Sequence, residues 1–181
     1  MTTWKIDPAH SEVSFKVKHL VISTVVGNFK SFDATVKTNN EDFSDAVIKF
    51  EADVNSINTK NEQRDAHLKS ADFFDAVNHP KMTFVSTSIK KISDFELEVI
   101  GNLTIRGITR EVKLDVIYNG TVSGFGDSQV AGFEVRGKIN RFDFGLQWNA
   151  LTEAGGVVVS NEVKIEILAE FNKVQTKAQA A

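Results

Sequence analysis

A chain of 181 residues, 41% hydrophobic and 25% charged, has the size and balance of one globular domain with a sizeable core. Its formal net charge is -3 with acids and bases interspersed, so no basic stripe marks a nucleic-acid partner, and no run of about 18 apolar residues offers a membrane-spanning helix. The lack of Cys removes thiol catalysis and cysteine-ligated metals, while 14 Phe against 2 Pro favour strands.

The chain opens Met1-Thr2-Thr3-Trp4, with neither a basic nor an apolar leader segment, and as written it reads as cytoplasmic. Period-two alternation then takes over. Val13, Phe15, Val17 and His19 alternate with Ser14, Lys16 and Lys18, which predicts a strand with one dry and one wet face. A shorter run lies near 32–36. Ala46, Ile48, Phe50, Ala52 and Val54 share the next face, opposite Lys49, Glu51 and Asp53.

One segment breaks the alternation. Thr59-Lys60-Asn61-Glu62 reads as a capping box with Thr59 as N-cap, opening a short helix on which Arg64, His67 and Leu68 share a side. Phe73-Phe74 follows as a plug for one end of the fold, and Asn78-His79-Pro80 ends the insert.

Alternation returns after a run over 82–89. It passes through Phe95, Leu97, Val99, Gly101, Leu103 and Ile105, then Val112, Leu114, Val116 and Tyr118. Phe133, Val135, Gly137 and Ile139 come next, and Val163, Ile165, Ile167, Ala169 and Phe171 last. Asn39-Asn40, Ser93-Asp94, Gly107, Asn119-Gly120 and the 124–128 stretch suit the connections. About eight long antiparallel strands predict an all-β barrel, which leaves no open edge. A single domain over 1–172 is expected, with a flexible tail over 173–181.

Several segments together resemble the YceI-like family. Trp4-x-Ile6-Asp7-x-x-His10-Ser11, then Val13-x-Phe15 and His19, is similar to its amino-terminal signature. Ser56-Ile57-x-Thr59 and Arg64-Asp65-x-His67-Leu68-x-Ser70-x-Asp72-Phe73-Phe74 resemble its helical insert. Pro80-x-Met82-x-Phe84-x-Ser86, Gly101-x-Leu103-Thr104-Ile105-x-Gly107, Arg141-x-x-Phe144-Gly145 and Val163-x-Ile165 complete the resemblance. It implies a lipocalin-like antiparallel barrel that binds polyisoprenoid lipids or isoprenoid quinones, often as a homodimer and often in the periplasm, and it carries over no catalytic residue.

A barrel of this size either packs its interior with side chains or holds one slender ligand. If it is hollow, the expected ligand-binding wall is Phe15, Val17, His19, Ile48, Phe50, Phe84, Val99, Leu114 and Phe133, with Phe74 and Phe144 at an end. Ala46, Ala52, Gly101, Gly137 and Ala169 are small enough to leave a void. They are equally suited to strand bends and to complementing large neighbours in a solid core. Arg64 and His67 are the candidate contacts for a polar head, ahead of His19 and His10, and Arg64 suits a clamp onto a neighbouring carboxylate at least as well. Trp4 and Trp148 read as packing groups.

No pair of histidines has zinc-ligand spacing, and there is no nucleophile elbow or phosphate-cradling loop. No metal, cofactor or catalytic residue is therefore expected. Three readings remain at this point: an isoprenoid-lipid or quinone carrier, a partner-binding scaffold with a filled barrel, and an enzyme using His19 or His67 as base on an apolar substrate.

Overall fold

The structure is a computed structural model that describes residues 1–126, 128–153 and 155–175. Its first three staves are each broken and re-formed. β1 (Thr2–Ile6) and β2 (Glu12–His19) make one stave around a 3-10 turn at Pro8–His10. β3 (Ser23–Phe29) and β4 (Phe32–Thr38) make the second, β3 on β2 and β4 on β1. β5 (Val47–Asp53) and β6 (Ile57–Asn58) make the third, around a 3-10 turn at Val54–Ser56.

The breaks fall at one level and are stitched. Asp7 accepts from the Ala9 N–H and Asp53 from the Asn55 N–H, both at 2.9 Å. The Lys30 N–H donates to the Ser56 carbonyl at 3.1 Å and the Asp53 N–H to the Ser31 carbonyl at 2.9 Å. Backbone groups that leave the ladder thus find partners in turn side chains and neighbouring carbonyls.

Helix α1 (Glu62–Lys69) precedes an antiparallel run of β7 (Lys81–Lys91), β8 (Glu96–Ile105), β9 (Ile108–Ser123), β10 (Gln129–Asn140) and β11 (Val159–Lys173). β11 pairs with β10 along one edge and with β2 and β1 along the other, closing a barrel of eight staves. The alternation read from the sequence separates inside from outside. Val99, Leu103, Leu114, Val116, Phe133, Ala169 and Phe171 are all buried. Phe95 is the exception: at the β7–β8 hairpin it is 64% exposed, beyond the last inward position of β8.

Two local expectations are corrected. Thr59 does not cap the helix. Asn61 does, its side-chain oxygen accepting from the Arg64 N–H at 2.8 Å, because the chain turns at Lys60 (φ 61°) before the helix starts. Asn119-Gly120 is not a turn but a bulge inside β9, where the pairing shifts by one residue and Gly120 has φ 108°. Bulges and hairpin turns draw on the same left-handed backbone, so the dipeptide serves both. Gly107 (φ 72°) does sit in a tight turn, with Arg106 (φ 51°), between the paired Ile105 and Ile108. β11 includes Lys173, and the Val174 N–H bonds the Thr3 carbonyl at 2.8 Å. The rest of the expected tail, 176–181, lies outside the described residues.

Candidate functional site

The barrel encloses a cavity of about 240 Å³. Its wall is built from the inward faces of every stave. Phe15, Val17, Ile48, Phe50, Phe84, Val99, Leu114 and Phe133 line it as the alternation placed them, and Phe74 reaches it from the segment after α1. Among the described residues that line it, only Ser14 and Arg141 are polar.

The other predicted residues lie elsewhere. His19 is half-buried at the end of β2, paired with Ser23 and Val159, and is not part of the wall. Phe144, the last residue of the 3-10 turn Arg141–Phe144, is 1% exposed but does not line the cavity. Arg64 points back to its own loop, Nε donating to Thr59 Oγ1 at 2.7 Å and a terminal nitrogen to the Thr59 carbonyl at 2.8 Å. Buried Asp65 accepts from the Thr59 N–H at 2.8 Å and from its hydroxyl at 2.6 Å. Arg64 is therefore a clamp, as the sequence allowed, but onto a threonine instead of a carboxylate.

His67 also faces away from the cavity. Its ring sits edge-on against Phe73 and Trp148, and Nε2 lies 2.8 Å from Asp72 Oδ2. The Asp72 contact ties α1 to the segment that follows it, and the ring contact ties it to Trp148.

The glycines and alanines divide by role. A Cβ on Gly101 would stand 2.4 Å from the Phe84 ring and 2.6 Å from the Val85 carbonyl oxygen; one on Gly137 would stand 2.5 Å from Leu114 Cδ2. These glycines let large side chains lie across the neighbouring strand. Ala34, Ala46 and Ala169 face the cavity instead, and they leave it open.

Nothing in the Arg141-x-x-Phe144-Gly145 motif marks Arg141 for the cavity wall, yet it lines it. It is 4% exposed, and its guanidinium is satisfied by main-chain carbonyls: Leu146 at 2.5 Å, Trp148 at 2.8 Å, Ser160 at 3.0 Å and Val159 at 3.3 Å. No carboxylate pairs with it among the described residues. Burial lowers its pKa from the usual guanidinium value. The result is a cation at one end of a greasy cavity, holding the end of β10, residues 146–148 and the start of β11 together.

The opposite end is closed by Phe43, 3% exposed, which packs against Trp4, Tyr118 and Phe133 at centroid distances of 5.4, 5.3 and 5.0 Å. Outside the barrel, Asp7, His10 and Glu170 gather at the first stave's break. His10 Nδ1 lies 2.9 Å from Asp7 Oδ2 and 3.8 Å from Glu170 Oε1. The Asp7 contact, then the charges of Asp7 and Glu170, raise the His10 pKa, and the His10 contact lowers that of Asp7.

Comparison with known proteins places this architecture. A protein of Staphylococcus aureus (strain MSSA476), UPF0312 protein SAS2572, is 45% identical over 175 residues, covering 95% of this chain and 98% of its own. The crystal structure of Burkholderia cenocepacia BcnA superposes with a TM-score of 0.76 at 27% identity, over 91% of this chain and 98% of that one. A polyisoprenoid binding domain from Saccharophagus degradans, implicated in plant cell wall breakdown, shares the fold (TM-score 0.70, 13% identity, 94% and 98% coverage). The YceI-like domain matches residues 4–171, and the chain belongs to the YceI-like family.

Proposed function

We propose that the barrel binds one long isoprenoid chain, as a prenyl lipid or isoprenoid quinone, and stores or carries it shielded from water. The observation that carries this reading is the cavity itself: about 240 Å³, walled by aliphatic and phenylalanine side chains from all eight staves. Pockets for drug-sized ligands run to roughly 300–1,000 Å³, so this narrower space favours a slender chain over a rigid polycycle. Each buried methylene contributes about 0.8 kcal/mol, so two isoprene units supply on the order of 8 kcal/mol. Association consumes roughly half or all of that, so useful affinity needs several units inside. That the S. degradans barrel is described as a polyisoprenoid binding domain supports the same ligand class on this architecture. A filled-barrel scaffold has no counterpart to the cavity.

The test is Ala46→Trp, which fills the wall from a position that faces the void. Native mass spectrometry after incubation with solubilised prenyl alcohols and quinones should show one chain per wild-type barrel and at least tenfold less uptake by the variant. Equal uptake by both would remove the cavity from the function. Gly101→Leu is unsuitable as a filling variant, because it would collide with Phe84 and the Val85 backbone.

A further inference from the structure

Three consecutive aliphatic side chains stand in water at the β2–β3 hairpin. Leu20, Val21 and Ile22 connect the paired His19 and Ser23, and Val21 and Ile22 are 74% and 86% exposed. Residues 155–158 run alongside, the Leu20 N–H bonding the Val158 carbonyl at 2.9 Å, and Val157 and its bridge partner Leu151, 72% exposed, add to the patch. Single exposed aliphatics are ordinary, but five on two adjoining loops are not.

The backbone makes this choice costly. Leu20 and Val21 have φ of 51° and 65°, a region that β-branched residues strongly avoid and that Asn-Gly adopts freely in hairpins. Folding alone would favour Asn-Gly here. The strain is retained with exposed greasy side chains, which is the pattern of a functional tip.

The charges beside the tip are arranged to match. Lys138, Lys164 and Lys16 are directly opposite one another on β10, β11 and β2, and Lys18 follows on the same outward face as Lys16. Like charges facing each other across a sheet oppose folding. Glu166 pairs with Lys16 at 2.6 Å and Glu162 with Lys138 at 3.7 Å, leaving an excess of positive charge; Lys18 has no ion pair among the described residues. The row lies about 13 Å from the tip, four strand residues away, within reach of a headgroup layer when the tip is among acyl chains.

We propose that this end of the barrel docks on an anionic lipid bilayer, with Leu20, Val21, Ile22, Leu151 and Val157 inserted and the lysine row against the headgroups. The proposal rests on the isoprenoid reading and adds where the lipid is exchanged: Val17 and Val159 of the cavity wall lie beside this hairpin, and the Phe73–Phe74 plug closes the same end. A bilayer fits better than a protein partner. The tip is a narrow projection of aliphatics, whereas a stable protein interface needs roughly 800 Å² per side and is enriched in aromatics and Arg. The far end also exposes apolar rings, Phe95 and Phe125, but the Phe43 stack seals the axis behind them.

The experiment compares full-length wild type, the double variant Leu20→Asn with Val21→Gly, and Phe125→Ser in sedimentation with vesicles. The vesicles are phosphatidylcholine alone or in equal parts with phosphatidylglycerol. Wild type and Phe125→Ser should bind the anionic vesicles, and the double variant should bind at least about tenfold more weakly while melting higher than wild type. Uptake of a detergent-solubilised prenyl alcohol, with no vesicles present, should be the same in all three. If that uptake is absent in wild type, the isoprenoid reading fails independently of docking. Wild type that ignores anionic vesicles, a double variant that binds them as well as wild type, or a tip whose removal only dissolves a dimer would each overturn the docking.

Discussion

At one end of the barrel Phe43 lies in a stack of aromatic rings, and at the other a set of polar clamps holds a helix and two loops in place. The Phe43 end is held by apolar burial behind a short loop whose carboxylate, Asp45, accepts from the Thr38 hydroxyl and the Asn39 and Asn40 N–H groups. The helix end has rings too, but His67, Phe74 and Trp148 are only half-buried, and it depends as well on hydrogen bonds from Arg141 to carbonyls and between Thr59, Arg64 and Asp65. Ring stacks resist opening, because every ring must be exposed to water at once. Half-buried rings and part-buried hydrogen bonds open to water at lower cost, because water can reach the groups they release. The contrast predicts that a ligand enters at the helix end, the gate, and that the Phe43 end is the floor.

Arg141 gives the largest expected effect. Arg141→Ala removes a donor from the Leu146, Trp148, Val159 and Ser160 carbonyls, of which the Leu146 group is fully buried and the Val159 group keeps the Asn149 side-chain amide at 3.4 Å. At roughly 1–3 kcal/mol for the buried Leu146 carbonyl and less for each of the three part-buried ones, the loss should reach about 4 kcal/mol in urea denaturation. Arg141→Lys should recover only part of it, since an ammonium cannot span carbonyls on four residues. A loss under about 1 kcal/mol would mean that the helix end is not held by this cation.

The next variants set the two ends against each other. Phe43→Ala should cost about 3 kcal/mol through the cavity it leaves among Trp4, Tyr118 and Phe133. Phe74 is only half-buried, so Phe74→Ala should cost about 1 kcal/mol and, more tellingly, speed the uptake and release of a fluorescent prenyl probe. If instead Phe43→Ala speeds exchange and Phe74→Ala leaves it unchanged, gate and floor are reversed.

Most of the barrel was legible because a strand has a side-chain period of two, and one buried face imposes that period on the sequence. Leu97 to Ile105 and Val163 to Phe171 could be assigned inward without knowing their partners. Where one residue type serves two geometries, legibility ended. Asn119-Gly120 marks left-handed backbone but not whether the chain turns or bulges there, and Thr59 and Asn61 are both good caps until the turn at Lys60 chooses between them. The hollow was unreadable for a related reason: Ala46 opens space while Gly101 receives the Phe84 ring, and both are simply small. Arg141 gave no sign of its role because its partners are main-chain carbonyls, which leave no matching residue in the sequence.

The smallest effect concerns acid, and it separates the ends by pH. The Thr38 hydroxyl, ahead of the Asn40 and Asn39 donors, holds the Asp45 carboxyl well below its ordinary value of 3.8, against a smaller opposing effect of desolvation. A carboxylate depressed on folding contributes stability above its unfolded pKa and loses it as pH falls through the folded value. The 39–45 loop should therefore remain ordered at pH 3.8, where an unperturbed aspartate is half protonated, and loosen only in stronger acid. Amide signals of Asn39 and Asn40 followed by NMR from pH 6 downward would check this, with Asp45→Asn removing the protection. Loosening at or above pH 3.8 would show that the floor depends on Phe43 alone and that its polar loop adds nothing.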